Sequence, residues 1–130
     1  MATQQKQLLL ILAREFTANL STPGLIADAE GTLVFYNEAA EAVVGKRFSE
    51  TGELPLEEWL LTFEPRTTES EPLPPERRPA HIALMERRPA HERYLVTSTD
   101  GIEREIEVTA FPLFAHMEEF VGIVAIFWRV

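Results

Sequence analysis

The stretch from residue 28 to residue 45 constrains the fold most. It reads Asp-Ala-Glu-Gly-Thr-Leu-Val-Phe-Tyr-Asn-Glu-Ala-Ala-Glu-Ala-Val-Val-Gly. Glu30-Gly31 is a turn, because Gly31 can take the positive φ a tight hairpin needs. A short strand follows, with Leu33 and Phe35 on one side and Val34 and Tyr36 on the other. Asn37 is suited to cap a helix by accepting a hydrogen bond from its first turn, and Glu38 complements the helix dipole. Gly45 fits the left-handed position that ends that helix.

The N-terminal segment is of another kind. Residues 3–20 lack Gly and Pro. Leu9, Leu12, Phe16 and Leu20 share a helical face, Leu8 and Ile11 widen it, and Leu10 lies off it. The apolar run Leu8 to Ala13 meets Arg14 and Glu15 at once. It is too short to span a bilayer and lacks a signal-cleavage site. An amphipathic helix over residues 1–20 therefore covers a sheet, mediates a dimer, or does both. Leu8, Leu9, Ile11, Leu12 and Phe16 are its candidate interface residues.

Beyond Gly45, Pro55 opens a helix with Leu56, Trp59, Leu60 and Phe63 on its apolar side. Residues 64–75 are Pro-rich and polar, a loop. Pro79 opens another helix to about Arg87. Three strands close the chain. Residues 91–98 form one, and Asp100-Gly101 is a hairpin turn. Residues 102–112 alternate, with Ile102, Ile106, Val108 and Ala110 on one side and Glu103, Glu105, Glu107 and Thr109 on the other. Phe120 to Trp128 is apolar on both faces, so it needs cover on both, and the N-terminal helix is the evident cover. The hexapeptide Glu-Arg-Arg-Pro-Ala-His occurs at 76–81 and 86–91, once entering a helix and once entering a strand. Two copies make no solenoid. With 130 residues the chain is one domain over 21–130 behind the N-terminal helix. The class is α+β: a five-stranded antiparallel sheet with short helices on one face.

The ordered pieces resemble the PAS superfamily over residues 21–128. They are Pro23 to Asp28, the Gly31 turn, Asn37-Glu38-Ala39-Ala40, Gly45, and the Arg-Pro start of the Pro79 helix with Ala83-Leu84. Asp100-Gly101, Val108 to Leu113 and Gly122 to Phe127 complete them. The resemblance implies an internal cavity, dimerisation through the N-terminal helix and the sheet, and a signal passed to a partner protein. Many relatives continue past Trp128-Arg129-Val130 into an output domain, so the chain is either stand-alone or a piece. Phe114 to Glu118 replaces the usual polar hairpin, which leaves Phe114 and Met117 as candidates for exposure.

Composition removes several chemistries. There is no cysteine, so cysteinyl flavin adducts and thiolate metal sites are excluded. The net charge of −9 argues against nucleic acid. A cytoplasmic location and no membrane partner are expected. Non-covalent flavin stays open. So does haem, with His81 on the Pro79 helix as the candidate ligand. His81, His91 and His116 match no metal-ligand spacing. No nucleophile triad, P-loop or dinucleotide fingerprint is present, and no catalytic residue is assigned. The expected ligand-pocket residues are Leu33, Phe35, Trp59, Leu84, Ile106 and Val108. Arg104 joins them, because it sits on the inward parity of its strand. There it either reaches solvent along its stem or anchors an acidic ligand, Glu64 or Glu71. The expected function is a sensory or interaction module. The alternatives are a ligand-free homodimerisation scaffold and, further off, a small cone-shaped enzyme.

Overall fold

A computed structural model describes residues 2–55, 58–59, 64–98 and 100–130, without the side chains of residues 2–6 and 117. Leu56, Leu60, Phe63 and Met117 lie outside that description. Helix α1 (Ala2–Ala18) leads into β1 (Gly24–Asp28) and β2 (Leu33–Tyr36). Then come α2 (Glu38–Val44), α3 (Phe48–Thr51), a 3₁₀ turn at Pro75–Arg77 and α4 (Pro79–Glu86). Strands β3 (Ala90–Thr97), β4 (Glu103–Phe114) and β5 (Phe120–Arg129) finish the chain. The five strands form one antiparallel sheet in the order β2-β1-β5-β4-β3.

Local chemistry explains the first hairpin. Asp28 Oδ1 accepts from the N–H groups of Glu30 and Thr32, both at 3.0 Å, and Gly31 takes φ 89°. Asn37 Oδ1 accepts from Ala40 N at 2.9 Å, and Gly45 ends α2 in the left-handed region at φ 86°. Each outer edge of the sheet is met by a loop. Leu33 exchanges backbone hydrogen bonds with Leu54, and Leu95 with Arg66.

The short helices cover the front of the sheet. There Leu25, Ala27, Leu33, Tyr36, Val108, Ala110, Ile123, Ala125 and Phe127 form the core with Val43, Val44, Trp59, Ala83 and Leu84. Helix α1 packs on the opposite face against β1, β5 and β2. Thr17 is buried over Gly24, where an added Cβ would lie 3.1 Å from Thr17 Cγ2.

Three readings of the sequence change. In β2, Leu33 and Tyr36 face the core together and Phe35 faces away. The register with β1 shifts between Ile26 and Ala27, so Val34 has no partner and the alternation resets across the bulge. In α1, Leu8, Ile11, Leu12 and Phe16 are all more than half exposed, while Leu9, Leu10, Ala13 and Thr17 lie toward the sheet. The helix is apolar around much of its girth, and the fit of Thr17 over Gly24 sets its rotation. Ile102 precedes β4 and is exposed in the hairpin.

Candidate functional site

Between the front of the sheet and the helices lies a chamber of about 70 Å³. The sheet contributes Leu25, Tyr94, Val96, Ile106, Val108, Ala125 and Phe127 to its wall. Val43 and Val44 of α2, Trp59, Pro65, Arg78 and Ala80 face it across the chamber. The strands bring these side chains together by register. Tyr94 is opposite Ile106, Val108 opposite Phe127, and Leu25 opposite Ala125. Trp59 is fixed by donating from Nε1 to Gly31 O at 2.9 Å, so the first hairpin holds one wall in place.

Among the described residues the wall is apolar except at two, Arg78 and Tyr94. Arg78 Nε donates to Leu73 O at 3.0 Å, which holds its side chain beside the chamber. Tyr94 takes no side-chain hydrogen bond from any described residue. Burial pushes its phenol well above the ordinary range, and the Arg78 charge acts weakly the other way. Among the described wall residues there is no carboxylate and no imidazole.

Of the residues expected in the pocket, Trp59, Ile106 and Val108 are on the wall. Leu33 and Leu84 are buried in the same core but lie off the wall. Phe35 is on the other face, edge-on to Phe48 at 5.5 Å with the Arg14 guanidinium 4.8 Å above its ring. Arg104 is also off the wall. It donates to Ser98 Oγ and pairs with Asp100 at 3.4 Å, rather than with Glu64 or Glu71. Ser98 in turn donates to Val43 O, so Arg104 ties the β3–β4 hairpin to α2. Asp100 is held below its usual carboxyl value, chiefly by the Ile102 N–H, with Arg104 adding to the effect.

His81 is not on the wall either. Its Nδ1 is buried without a partner in α4. His91 sits on the other face of the sheet, bonded to Thr109 Oγ1 at 2.7 Å. Among the described residues no cluster of His, Cys, Asp and Glu could hold a metal ion. The chamber is less than half the ~150 Å³ of an apolar cavity that accepts benzene. A haem or a flavin does not fit it.

Sequence reasoning missed ten of the thirteen described wall residues, Tyr94, Arg78, Leu25, Val43 and Val44 among them. Tyr94 was within reach through the β3–β4 register, but a two-residue Asp100-Gly101 turn would set it opposite Glu107 on the wet face. The observed loop closes Ser98 N on Ile102 O at 3.0 Å, and that single-residue difference turns Tyr94 inward.

No family model and no curated protein matches the sequence. Solved structures do. The PAS domain of BvgS from Bordetella pertussis aligns with 94% of this chain and 85% of its own, at 19% identity and TM-score 0.63. The PAS domain of nitrogen regulation protein NR(II) from Vibrio parahaemolyticus aligns with 92% and 98%, at 16% identity and TM-score 0.61. The PAS domain of the fruit-fly ELK potassium channel aligns with 94% and 96%, at 10% identity and TM-score 0.67. The identities are low, but the alignments cover more than nine-tenths of this chain. The chain has the fold of the PAS domain superfamily.

Proposed function

We propose that this chain is a sensory module that holds a small molecule in its front chamber and reports occupancy through α1. The chamber carries this reading. An apolar space of about 70 Å³ between sheet and helices is a standing cost in lost contacts, and a ligand-free scaffold has no use for it. Similar folds occur in a nitrogen regulation protein and a potassium channel, which favours regulation over catalysis. Among its described residues the wall offers no acid–base pair, and we assign no catalytic residue.

The partner in this reading is a second copy of the chain, with a signalling protein downstream. Leu8, Ile11, Leu12 and Phe16 form an outward apolar stripe that water covers poorly. Among the described residues no helix is long and apolar enough to cross a membrane, and the charge of −9 disfavours nucleic acid. The reading places the module in the cytoplasm.

The test is a fragment screen by thermal shift on the wild type and on Ala80→Leu, which fills the chamber from α4. Fragments that raise the melting temperature of the wild type should lose the effect in Ala80→Leu. If none distinguishes the two proteins, the dimerisation scaffold becomes the better reading.

A further inference from the structure

We propose that the chamber is a size-limited site for a wholly apolar guest of no more than about four heavy atoms, a dissolved gas or a short hydrocarbon. The proposal rests on reading the chamber as a ligand site, and it adds the chemical class of the ligand.

Volume sets the upper bound. About 70 Å³ is less than half the ~150 Å³ that accepts benzene, so a six-membered ring is too large. The wall sets the polarity. Leu25, Val43, Val96, Ile106, Val108 and Phe127 present hydrocarbon. Polar groups fixed around them are spent within the protein. Trp59 Nε1 donates to Gly31 O, Arg78 Nε donates to Leu73 O, and Val43 O accepts from the Ser98 hydroxyl. A water needs roughly two to four polar partners to settle in a cavity, and an apolar space stays dry. A guest carrying a hydroxyl, an amine or a carboxylate would give up its hydration here and recover little.

The way the walls are held makes the size limit firm. On one side the strands are locked by their ladders. On the other, Ser98 ties the end of α2 to the β3–β4 hairpin, and Arg104 grips Ser98 in turn. Trp59 is tied to the first hairpin. Widening the chamber for a larger guest would break one of these bonds and leave a buried group such as Ser98 without its partner. A guest that fits breaks none of them. It supplies the dispersion contacts that the wall atoms lack across the void, so binding follows shape and size rather than hydrogen bonding.

The test is an NMR titration of the full chain that follows the methyl resonances of Val43, Val44, Val96, Ile106 and Val108. Propane and ethanol are the matched probes, since each has three heavy atoms and they differ by a methyl against a hydroxyl. Xenon reports the space itself, and benzene the size limit. Xenon and propane should shift the chamber methyls, and propane should bind at least about tenfold more tightly than ethanol, the ratio for one unpaired buried hydroxyl. Benzene should shift none of them. Ala80→Leu, which fills the chamber, should abolish the xenon and propane shifts, and Ala80→Val is the milder filler where Ala80→Leu unfolds the chain. Ethanol binding within about tenfold of propane overturns the apolar assignment. Benzene saturating the same methyls overturns the size limit. Either result leaves the chamber as a ligand site. Shifts that survive in the filled variants put the guest elsewhere and overturn the proposal. If neither xenon nor propane moves any chamber methyl in the wild type, the ligand-site reading falls, and this proposal with it.

Discussion

Asn37 gives the sharpest test of how this fold is held together. Its side chain is buried and makes four hydrogen bonds. Oδ1 accepts from Gly24 N at 3.1 Å and Ala40 N at 2.9 Å. Nδ2 donates to Thr17 O and Thr22 O, both at 2.9 Å. One amide thus joins the end of α1, the start of β1 and the cap of α2. Asn37→Ala strands Gly24 N, Ala40 N and Thr22 O, while Thr17 O keeps the Leu20 N–H at 3.1 Å. A stranded buried group costs about 1–3 kcal/mol, and a water in the vacated space offsets part of the total. The expected loss is about 3–5 kcal/mol, a large share of a total stability of about 5–15 kcal/mol.

Asn37→Asp separates the two halves of that network. Aspartate keeps the helix cap, but an ionised oxygen then faces the carbonyls of Thr17 and Thr22. The protonated acid can still donate to one of them. The folded protein therefore favours the neutral acid, and the folded pKa rises above the unfolded value of about 3.9. A raised pKa means that the folded state binds more protons between the two values. Stability, relative to wild type, then falls as pH rises through that window and levels off above it. The loss should be about 1–2 kcal/mol at pH 4 and about 3 kcal/mol at pH 7, since one pKa unit is worth about 1.4 kcal/mol. Urea unfolding at both pH values, followed by the fluorescence of the buried Trp59, measures it. The reasoning fails if Asn37→Asp is within about 0.5 kcal/mol of wild type at pH 7, or if its deficit does not depend on pH.

Other substitutions test separate contacts. Gly122→Ala should cost about 3 kcal/mol or more in urea unfolding, because its Cβ would lie 2.2 Å from Ala27 O in the β1–β5 ladder, at φ 156°. Trp59→Phe should cost about 1–2 kcal/mol, since it leaves the buried Gly31 carbonyl without its donor. A neutral result would mean that water replaces the bond. Phe16→Glu should leave the melting temperature within a few degrees of wild type, because Phe16 is exposed, and, if α1 mediates the proposed dimer, should lower the mass in light scattering to that of a monomer. An unchanged mass would remove α1 from the interface.

The sheet was legible because its signals are local. The Gly31 turn, the Asn37 cap, the Gly45 stop and the alternation of β4 each act within a few residues. The wall of the chamber was not. It depends on register between strands far apart in sequence, and two single-residue events decide it. The bulge at Val34 turns Phe35 out, and the β3–β4 loop turns Tyr94 in. The rotation of α1 was hidden for a different reason. Leu8 to Leu12 is unbroken apolar sequence, so periodicity admits several faces. What selects one is Gly24, whose missing side chain lets Thr17 close in, with Asn37 gripping the Thr17 carbonyl. Arg104 had the inward parity expected of a pocket residue, yet Ser98 and Asp100 were near enough in sequence to claim it first.

The chamber and α1 lie on opposite faces of the same strand. Leu25 lines the chamber from the front of β1, while Gly24 meets Thr17 of α1 from the back. A signal would therefore cross one layer of sheet, and its strength is bounded by the size of the chamber. A ligand of about four heavy atoms binds with at most ~6 kcal/mol at the ceiling for very small molecules, and with ~1 kcal/mol at the efficiency of larger ones. Swinging two states from 1:99 to 99:1 requires about 5.5 kcal/mol of difference between them. Only a ligand that binds one packing of the sheet and is excluded from the other could supply that. The same molecule binding both packings with modest preference would shift their ratio by a few fold. For the module proposed above, these magnitudes fit a graded response better than an all-or-none switch.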